Sequence, residues 1–306
     1  MNKFFRVFLV LIISAQCLSG QLNPVTNQYI LNPLTINPAF AGNRGTLNMA
    51  AFYRRQWMGI AGAPETMTLT MDAPLLDSKI GLGFIVTNDK IGVTKETRFN
   101  AEFAYKINMG KGNLSMGLGA GVITTNTAWS ELSVEDPGDE YYLVNSRSFV
   151  VPDFSFGVYY SHQKYFAGIS VPKLLGYKFD YNKNRYTLMV DPGQYHYLVN
   201  TGYVFRLSPV LILLPSALLT YASGERLLYD INLHFNISNF LWFGGSYRDN
   251  RSLAGLVQIE VNQHLKVAYT YDFDFGRLRQ YSHGSHEVML RYEFHNKVKV
   301  VNQLIF

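Results

Sequence analysis

The residues best suited to chemistry lie near the carboxyl end of the chain, in the sequence HGSHE. His283, His286 and Glu287 fall within five consecutive positions there, and imidazole nitrogens and carboxylate oxygens are common zinc ligands. A structural zinc site needs four ligands, and the two histidines at this spacing have no evident third and fourth ligand. We therefore interpret them as loop residues and predict no metal and no other cofactor.

Three further motifs resemble known sites but lack the context that such sites need. The acidic sequence VEDPGDE at residues 134–140 could supply calcium ligands, yet it lacks the ligand spacing of a known calcium-binding loop. The sequence GLGAG at residues 117–121 would bind a dinucleotide only if it opened a helix within a βαβ unit. The sequence DFG at residues 274–276 occurs without the other kinase motifs. Since no nucleophile–base pair stands out either, we predict that the protein is not an enzyme.

The composition favours strands and gives no sign of a nucleic-acid partner. The chain of 306 residues has a formal net charge of +5. It has no basic cluster with interleaved aromatic residues, so we predict no binding of nucleic acid. Tyrosine and phenylalanine each occur 21 times, glycine occurs 25 times, and charged residues make up only 16%. These proportions are typical of apolar residues that alternate with polar ones.

The amino-terminal segment predicts export. Lys3 and Arg6 precede a short apolar run at residues 8–13, and small or polar residues follow. This pattern is typical of a secretory signal peptide, here residues 1–20, with cleavage before Gln21. A membrane anchor is disfavoured because the apolar run is well short of the roughly 18 residues of a spanning helix.

The single cysteine, Cys17, lies inside this segment. A lipoprotein would need Cys17 as its acylated residue, but Gln16 precedes it where a small side chain is expected. Cleavage before Gln21 is therefore favoured. The mature chain then has no cysteine and forms no disulfide, so burial and backbone pairing must stabilise it.

From Leu47 onward, apolar and polar residues alternate with a period of two. In residues 194–206, aromatic and aliphatic side chains fall mainly on one face, and polar side chains mainly on the other. Because successive side chains of a strand point to opposite faces, each such run predicts a strand. We count about fourteen runs, each near the length of a tilted membrane-spanning strand. They begin near Leu47, Thr66, Lys79, Glu96, Asn113, Asp153, Lys164, Gln194, Pro209, Arg226, Phe240, Ser252, His264 and Ser285.

The connections between these runs alternate between tight turns and longer loops. Residues 109–111 and 262–263 are tight turns, whereas residues 126–152 and 172–193 are long connections. Short periplasmic turns and long extracellular loops are typical of bacterial outer-membrane barrels. We therefore predict an all-β fold, a transmembrane antiparallel outer-membrane β-barrel of about 14 strands. The predicted units are a signal peptide (1–20), an N-terminal pre-barrel segment (21–46), the barrel (47–295) and a C-terminal tail (296–306).

A soluble β-sandwich or lipocalin-like barrel would also alternate. The strand count is high for one soluble sheet, and the polar face carries charges such as Glu102 and Asp230, which suit a wet lumen. Pro215 lies within a predicted strand, and because it donates no hydrogen bond we expect a bulge there. Whether the lumen is open stays undecided, since the pre-barrel segment or a folded-in loop could plug it.

Several pieces of sequence resemble a known family. They are NQYILNPLTINPAFAG at residues 27–42, YRRQWMGIAGAPET at 53–66, MDAPLLDSKIGLGFIVTNDKIG at 71–92, and SHEVMLRYEF at 285–294. In this order they resemble the PorP/SprF family of outer-membrane proteins, associated with type IX secretion in Bacteroidetes. The last piece resembles the closing strand of the family. Phe294 is favoured over Phe306 as the terminal aromatic residue of the barrel, because Phe294 ends the alternating run.

The resemblance implies a location and partners. We expect an outer-membrane protein, surrounded by lipid, that works with the type IX secretion machinery. The resemblance implies a surface anchor for exported adhesins or enzymes that carry a C-terminal sorting domain. Some family members serve gliding motility. The alternative function is an outer-membrane channel or porin-like transporter, which the strand number and polar inner face favour.

The first strand and its loop hold the candidate partner-binding residues. If Leu47 begins at the periplasmic edge, a strand of about ten residues reaches the outer edge near Trp57. An arginine that faces lipid costs roughly 2–4 kcal/mol at the midplane but about 0–1 at the interface, so Arg54 and Arg55 belong near the rim. This group either anchors the barrel in lipid or presents a docking surface. The candidate partner-binding residues are Asn37, Pro38, Arg54, Gln56, Trp57, Gly62 and Pro64.

Overall fold

The computed structural model describes residues 26–75, 78–131, 148–180, 185–223, 226–249 and 252–294. The predicted signal peptide (1–20), the acidic turn (134–140) and the C-terminal tail (296–306) lie outside the described residues. Among the residues that are described, no helix is long and apolar enough to cross a membrane.

Strands and short 3-10 helices make up the described structure. The helices are Pro33–Thr35, Pro38–Phe40, Trp129–Glu131, Pro192–Gln194 and Arg277–Gln280. The strands are β1 (Leu47–Arg55), β2 (Glu65–Leu75), β3 (Ile80–Ile91), β4 (Thr94–Met109), β5 (Gly112–Thr127), β6 (Phe149–Ser161), β7 (Tyr165–Val171), β8 (Gly176–Asp180), β9 (Arg185–Met189), β10 (His196–Tyr203), β11 (Phe205–Arg206), β12 (Leu211–Ala222), β13 (Leu228–Ile237), β14 (Leu241–Arg248), β15 (Ser252–Glu260), β16 (Leu265–Asp274) and β17 (Ser285–Phe294).

Fourteen of these strands close into one antiparallel barrel, which confirms the predicted fold class. The barrel contains β1–β7, β10 and β12–β17, each paired with its neighbour along the chain. It closes where β1 meets β17, from the pair Leu47 and Phe294 to the pair Arg55 and His286. Strands β8 and β9 form a separate hairpin in the connection after β7.

Strand β11 continues β10 after a one-residue break, and Pro215 explains the break. Gly202 pairs with Ser216, and Phe205 pairs with Leu213, so the register is the same on both sides of the interruption. Pro215 falls opposite Tyr203 in that register and has no N–H to donate. The expected bulge at Pro215 was therefore wrong: the ladder loses a bond but keeps its register.

Turn lengths assign the two ends of the barrel. The links 110–111 and 238–240 lie at the end where β1 begins and β17 finishes, and both are tight. Ser238 and Asn239 have φ angles of 52° and 59°, as a type I′ hairpin turn requires. The connections 128–148 and 172–195 lie at the opposite end. We therefore assign the first end to the periplasm and the second to the outside.

The outer face of the barrel is apolar and the inner face is polar. Outward side chains such as Leu69, Leu118 and Ile231 are 58%, 59% and 55% exposed. Inward residues such as Asn200 and Asn232 are buried. This inverts the pattern of a soluble barrel and matches a surface solvated by lipid.

The described part of the pre-barrel segment lies inside the barrel. Its apolar side chains, including Leu31, Leu34 and Phe40, are almost fully buried and form one core with lumen-facing residues such as Tyr159 and Met289. The sequence left two possible plugs open, the pre-barrel segment and a folded-in loop. In the structure, the pre-barrel segment occupies the lumen. We call residues 26–46 the lumen segment.

Candidate functional site

The lumen segment fits inside the barrel because glycines on the barrel wall leave room for its backbone. A Cβ atom at Gly117 would overlap the backbone of Ala39, and one at Gly81 would overlap the carbonyl of Ala41. The glycines of GLGAG alternate along β5, so they fall on one face, and Gly117 lets two backbones approach closely. The motif therefore has a packing role in this fold.

Asn37 ties the lumen segment to the wall and shapes its local structure. Its Oδ1 accepts a hydrogen bond from the Ala39 N–H at 3.0 Å, which caps the helix Pro38–Phe40. Its Nδ2 donates to the carbonyl oxygens of Val158 at 3.1 Å and Ile169 at 3.4 Å. Pro38 at the first helical position suits this cap because its ring fixes φ and its missing N–H is not needed. Both residues are buried inside the barrel.

Two arginines bind the middle of the lumen segment. Arg44 from the segment and Arg291 from β17 both donate a hydrogen bond to the carbonyl oxygen of Leu31. Their side chains are among the largest fully buried ones in the described structure. Carboxylates lie close by: Asp72 accepts from the Gly42 N–H at 3.0 Å, and Glu293 lies 3.9 Å from the Arg291 guanidinium.

The outer end of the segment is held by a buried charge cluster. Glu287 lies 3.1 Å from Arg54 and accepts hydrogen bonds from the Asn27 N–H at 3.0 Å and from the Thr26 hydroxyl. Asp272 lies 3.7 Å from Arg54 and accepts from Asn27 Nδ2 at 3.2 Å. Arg54 therefore faces the lumen and is paired there, so a buried guanidinium does not remain uncompensated.

The HGSHE residues do not converge on one site, because His286 and Glu287 point to opposite faces of β17 and His283 precedes the strand. Glu287 faces the lumen, whereas His286 lies outside, with its Nδ1 2.6 Å from the Tyr269 hydroxyl. His283 Nδ1 lies 3.2 Å from the carbonyl oxygen of Met58 in the β1–β2 loop. Within the described ranges, no group of three or more histidine, cysteine, aspartate or glutamate residues could hold a metal ion.

A second charge cluster lies in the outer lumen, on β4 and β6. Arg98 is 3.2 Å from Glu96 and 3.5 Å from Asp153, and Asn100 donates to Asp153 at 3.1 Å. Beyond the end of β7, burial lowers the pKa of Lys173 below its usual range, and the nearby Arg98 guanidinium lowers it further. The outer lumen is thus lined by paired charges of both signs.

The β1–β2 loop forms a fixed surface on the outer rim, which we call the rim platform (residues 56–64 with 283–285). Main-chain hydrogen bonds join Met58 N–H to the Gly284 carbonyl at 2.8 Å and His283 N–H to the Met58 carbonyl at 2.7 Å. They fasten the loop across the seam where the first and last strands meet. The Trp57 N–H also donates to the Ser285 hydroxyl at 3.2 Å. The platform is therefore held by its own backbone.

Backbone geometry in the rim platform is unusual. Trp57 has a φ angle of 45°, in the left-handed region that non-glycine residues rarely adopt. Gly59 has a φ of 99°, and a Cβ there would lie 2.7 Å from His283 Nδ1. Strained residues of this kind persist where the surrounding structure over-determines them.

The structure separates the seven candidate partner-binding residues into two groups. Asn37, Pro38 and Arg54 are buried in the barrel interior, so a protein docked on the outer surface would not contact them directly. Gln56 and Trp57 are half-buried in the rim platform, Gly62 is exposed, and Pro64 is buried. The sequence pieces that carry the family resemblance thus include both the lumen segment and the rim platform.

Comparisons with known proteins agree with this architecture. Residues 18–292 match the family model described as type IX secretion system membrane protein PorP/SprF. No protein of curated function matches the chain. Among solved structures, the chain is similar to the CymD monoaromatic hydrocarbon channel (TM-score 0.52, 11% identity, 92% of this chain and 96% of that chain). It is also similar to the Ralstonia pickettii toluene transporter TbuX (TM-score 0.51, 9% identity, 90% of this chain and 96% of that chain). At these identities the likeness concerns the fold alone.

Proposed function

The chain belongs to the PorP/SprF family of type IX secretion system membrane proteins, and on that premise we propose that it holds a secreted protein at the cell surface. The barrel is delivered to the outer membrane by a cleaved signal peptide and works with the secretion machinery. The secreted partner is an adhesin or enzyme with a C-terminal sorting domain, and in a motile cell such an adhesin would serve gliding.

The filled lumen is the observation that carries this proposal. Leu31, Leu34 and Phe40 of the lumen segment are no more than 1% exposed, and they pack against the barrel wall. Because the chain itself fills the lumen, the rims of the barrel are the surfaces that another protein can reach. The lumen segment also packs against the wall and bonds it through residues such as Asn37 and Leu31, which supports a stable binding surface at the rim.

Within the outer rim, the rim platform is the part best suited to docking. Its backbone is fixed before a partner arrives, so binding costs little conformational entropy. Trp57 and Gln56 are half-buried and partly accessible, and tryptophan is among the residues that most often dominate binding energy. Asn37, Pro38 and Arg54 support this surface from within, by fixing the lumen segment and the top of β1.

Retention of the secreted partner tests the proposal. Deleting the gene should release a normally surface-bound exported protein into the medium, and the wild-type gene should restore retention. Complementation with Trp57→Ala should leave an abundant barrel and release the partner. Trp129→Ala is the matched control, because Trp129 is a second tryptophan in an outer loop, beyond β5, and is not part of the rim platform. Unchanged retention in the deletion strain would refute the proposed function.

A channel remains the second candidate. Its support is the fourteen-strand barrel with a polar wall and a fold similar to those of a toluene transporter and a hydrocarbon channel. Transport through the lumen would require the lumen segment to move. Planar-bilayer recording of the purified protein discriminates between the two functions, since a stable open conductance supports the channel and a closed trace supports the anchor.

A further inference from the structure

We propose that a groove on the outer face of the barrel binds a lipid with an anionic phosphate headgroup from the outer leaflet of the membrane. The acyl chain lies in the groove, and the headgroup lies beside Arg279 at the outer rim. This site is separate from the rim platform and does not rest on the proposed function.

The groove lies on the lipid-facing side of strands β13–β16. Its volume is about 560 Å³, which is within the range of ligand pockets in proteins. It is lined by residues from two neighbouring cross-strand rows. The lower row consists of Leu233, Gly245, Gly255 and Tyr271, and the upper row includes Tyr247 and Phe273.

Two glycines form the floor of the groove. Gly245 pairs with Gly255, between Leu233 on β13 and Tyr271 on β16. The side chains of Leu233 and Tyr271 project outward and are 46% and 36% exposed. Because the two positions between them carry no side chain, the outer face has a depression there that is two strands wide.

The packing of the barrel itself does not require these glycines. A Cβ at Gly255 would meet nothing within 4 Å, and one at Gly245 would meet only the Ala254 carbonyl oxygen, at 3.5 Å. Gly117 differs, because its missing Cβ makes room for the lumen segment. Glycine within a strand weakens it and often marks a site where a ligand or another backbone approaches closely. Since no described backbone approaches this face, we infer a ligand from the membrane.

The groove runs from the middle of the wall to its outer end. Gly245 lies four residues from the periplasmic end of β14 at Leu241, whereas Phe273 lies one residue from the outer end of β16 at Asp274. A lipid of the outer leaflet has its chains near the middle of the membrane and its headgroup at the outer surface. The groove therefore has the position and direction of an outer-leaflet acyl chain.

A cation lies at the outer end of the groove. Arg279 holds its guanidinium carbon 5.1 Å from the centre of the Phe273 ring, which lines the groove. Arg279 is exposed, and among the described residues no carboxylate pairs with it. By contrast, Arg226 on the same rim lies 3.0 Å from Asp249. The Arg279 guanidinium is therefore available to a phosphate, which it can bind through charge-assisted hydrogen bonds.

Native mass spectrometry of the purified barrel with defined lipids tests the site. The probes are dipalmitoyl phosphatidylglycerol and dipalmitoyl phosphatidylcholine, which have the same chains but differ in net charge. We expect the wild type to retain phosphatidylglycerol in preference. Gly255→Leu fills the groove and should lose both lipids. Arg279→Ala should still bind lipid but lose about fivefold of the preference, the effect of one arginine near an anionic lipid.

Two matched controls should behave as the wild type. Ala101→Leu adds the same bulk on the outward, exposed face of β4, away from the groove. Arg226→Ala removes an arginine from the same rim whose charge is already paired. Equal lipid retention by Gly255→Leu and Ala101→Leu would overturn the groove as the binding site. An unchanged preference in Arg279→Ala would overturn the headgroup position.

A phosphatidylglycerol with a photoactivatable diazirine in its acyl chain gives a measurement on the unaltered barrel. Cross-links should concentrate on peptides from β13–β16, and an even spread around the barrel would contradict the proposal. If the wild type were a dimer and Gly255→Leu a monomer, the groove would be an interface between two copies and the lipid site would be wrong. Neither readout requires the secreted partner, so failure here is distinguishable from failure of the proposed function.

Discussion

Arg54 and Glu287 join the first and last strands of the barrel through a buried ion pair, with Nη1 and Oε2 3.1 Å apart. Glu287 also accepts the Asn27 N–H at 3.0 Å, so the same carboxylate holds the lumen segment. The pair therefore couples closure of the barrel to retention of the segment. Sequence alone placed Arg54 near the outer rim but could not identify Glu287 as its partner, because the two residues are far apart in the chain.

We predict that Glu287→Ala destabilises both the barrel seam and the lumen segment. Removing one partner of a buried ion pair leaves the other charge uncompensated, which typically costs about 3–5 kcal/mol. The variant should lose its folded electrophoretic mobility at a clearly lower temperature than the wild type. Glu65→Ala is the control, since Glu65 bonds Tyr53 at an exposed position. Equal heat resistance of the two variants would contradict the coupling.

We predict that Gly117→Ala displaces the lumen segment while the barrel still forms. The added methyl group would overlap the Ala39 backbone, and backbone cannot move aside as a flexible side chain can. Gly255→Ala is the matched control, because a Cβ there meets nothing within 4 Å. In planar bilayers we expect conductance events from Gly117→Ala and closed traces from the wild type and Gly255→Ala. A closed, protease-resistant Gly117→Ala protein would show that the lumen accommodates the methyl group.

We predict that Asn37→Ala and Asn37→Asp distinguish the two roles of Asn37, which caps the helix Pro38–Phe40 and donates hydrogen bonds to the barrel wall. Asn37→Ala removes both, at a cost of about 1 kcal/mol for the cap and about 1–3 kcal/mol for unpaired carbonyl groups. Asn37→Asp keeps the acceptor for the Ala39 N–H but places a carboxylate against the carbonyl oxygens of Val158 and Ile169. Heat resistance should therefore fall in the order wild type, Asn37→Ala, Asn37→Asp. If Asn37→Asp were as stable as the wild type, the cap would be the dominant role.

The barrel could be predicted from the sequence because its strands follow a local pattern. Thirteen of the fourteen predicted strand starts fall within two residues of the structure, and β6 alone begins four residues earlier, at Phe149 instead of Asp153. Burial alternates along most of the barrel strands, for example β1 and β17, so these strands carry their own signal. The β8–β9 hairpin was missed because it lies within a connection between barrel strands.

The lumen segment could not be placed from the sequence, because its contacts are non-local. The residues of NQYILNPLTINPAFAG have no period of two, and their partners, such as Asp72 and Glu287, lie on strands far along the chain. One signal was available: glycines at every second position of β5 indicate that another backbone approaches that face closely. The sequence did not say which segment approaches.

Two substitutions at Trp57 distinguish the backbone strain of this residue from a role of its indole ring in docking the partner. A φ of 45° costs a non-glycine residue roughly 1–2 kcal/mol, and glycine adopts it without that cost. Trp57→Ala and Trp57→Gly both remove the indole ring, but only Trp57→Gly relieves the backbone. We therefore expect Trp57→Gly to give the more heat-resistant barrel of the two.

Both variants should release the partner equally if the indole ring binds it. Truncating a central aromatic residue at an interface commonly costs about 2 kcal/mol or more, roughly thirtyfold in affinity. The measurement is the ratio of surface-bound to released partner at matched barrel levels, with Trp129→Ala as control. If retention followed heat resistance, with Trp57→Gly close to the wild type, the indole would have only a structural role. Loss of retention in both variants, despite their different stabilities, would identify Trp57 as a contact of the secreted protein.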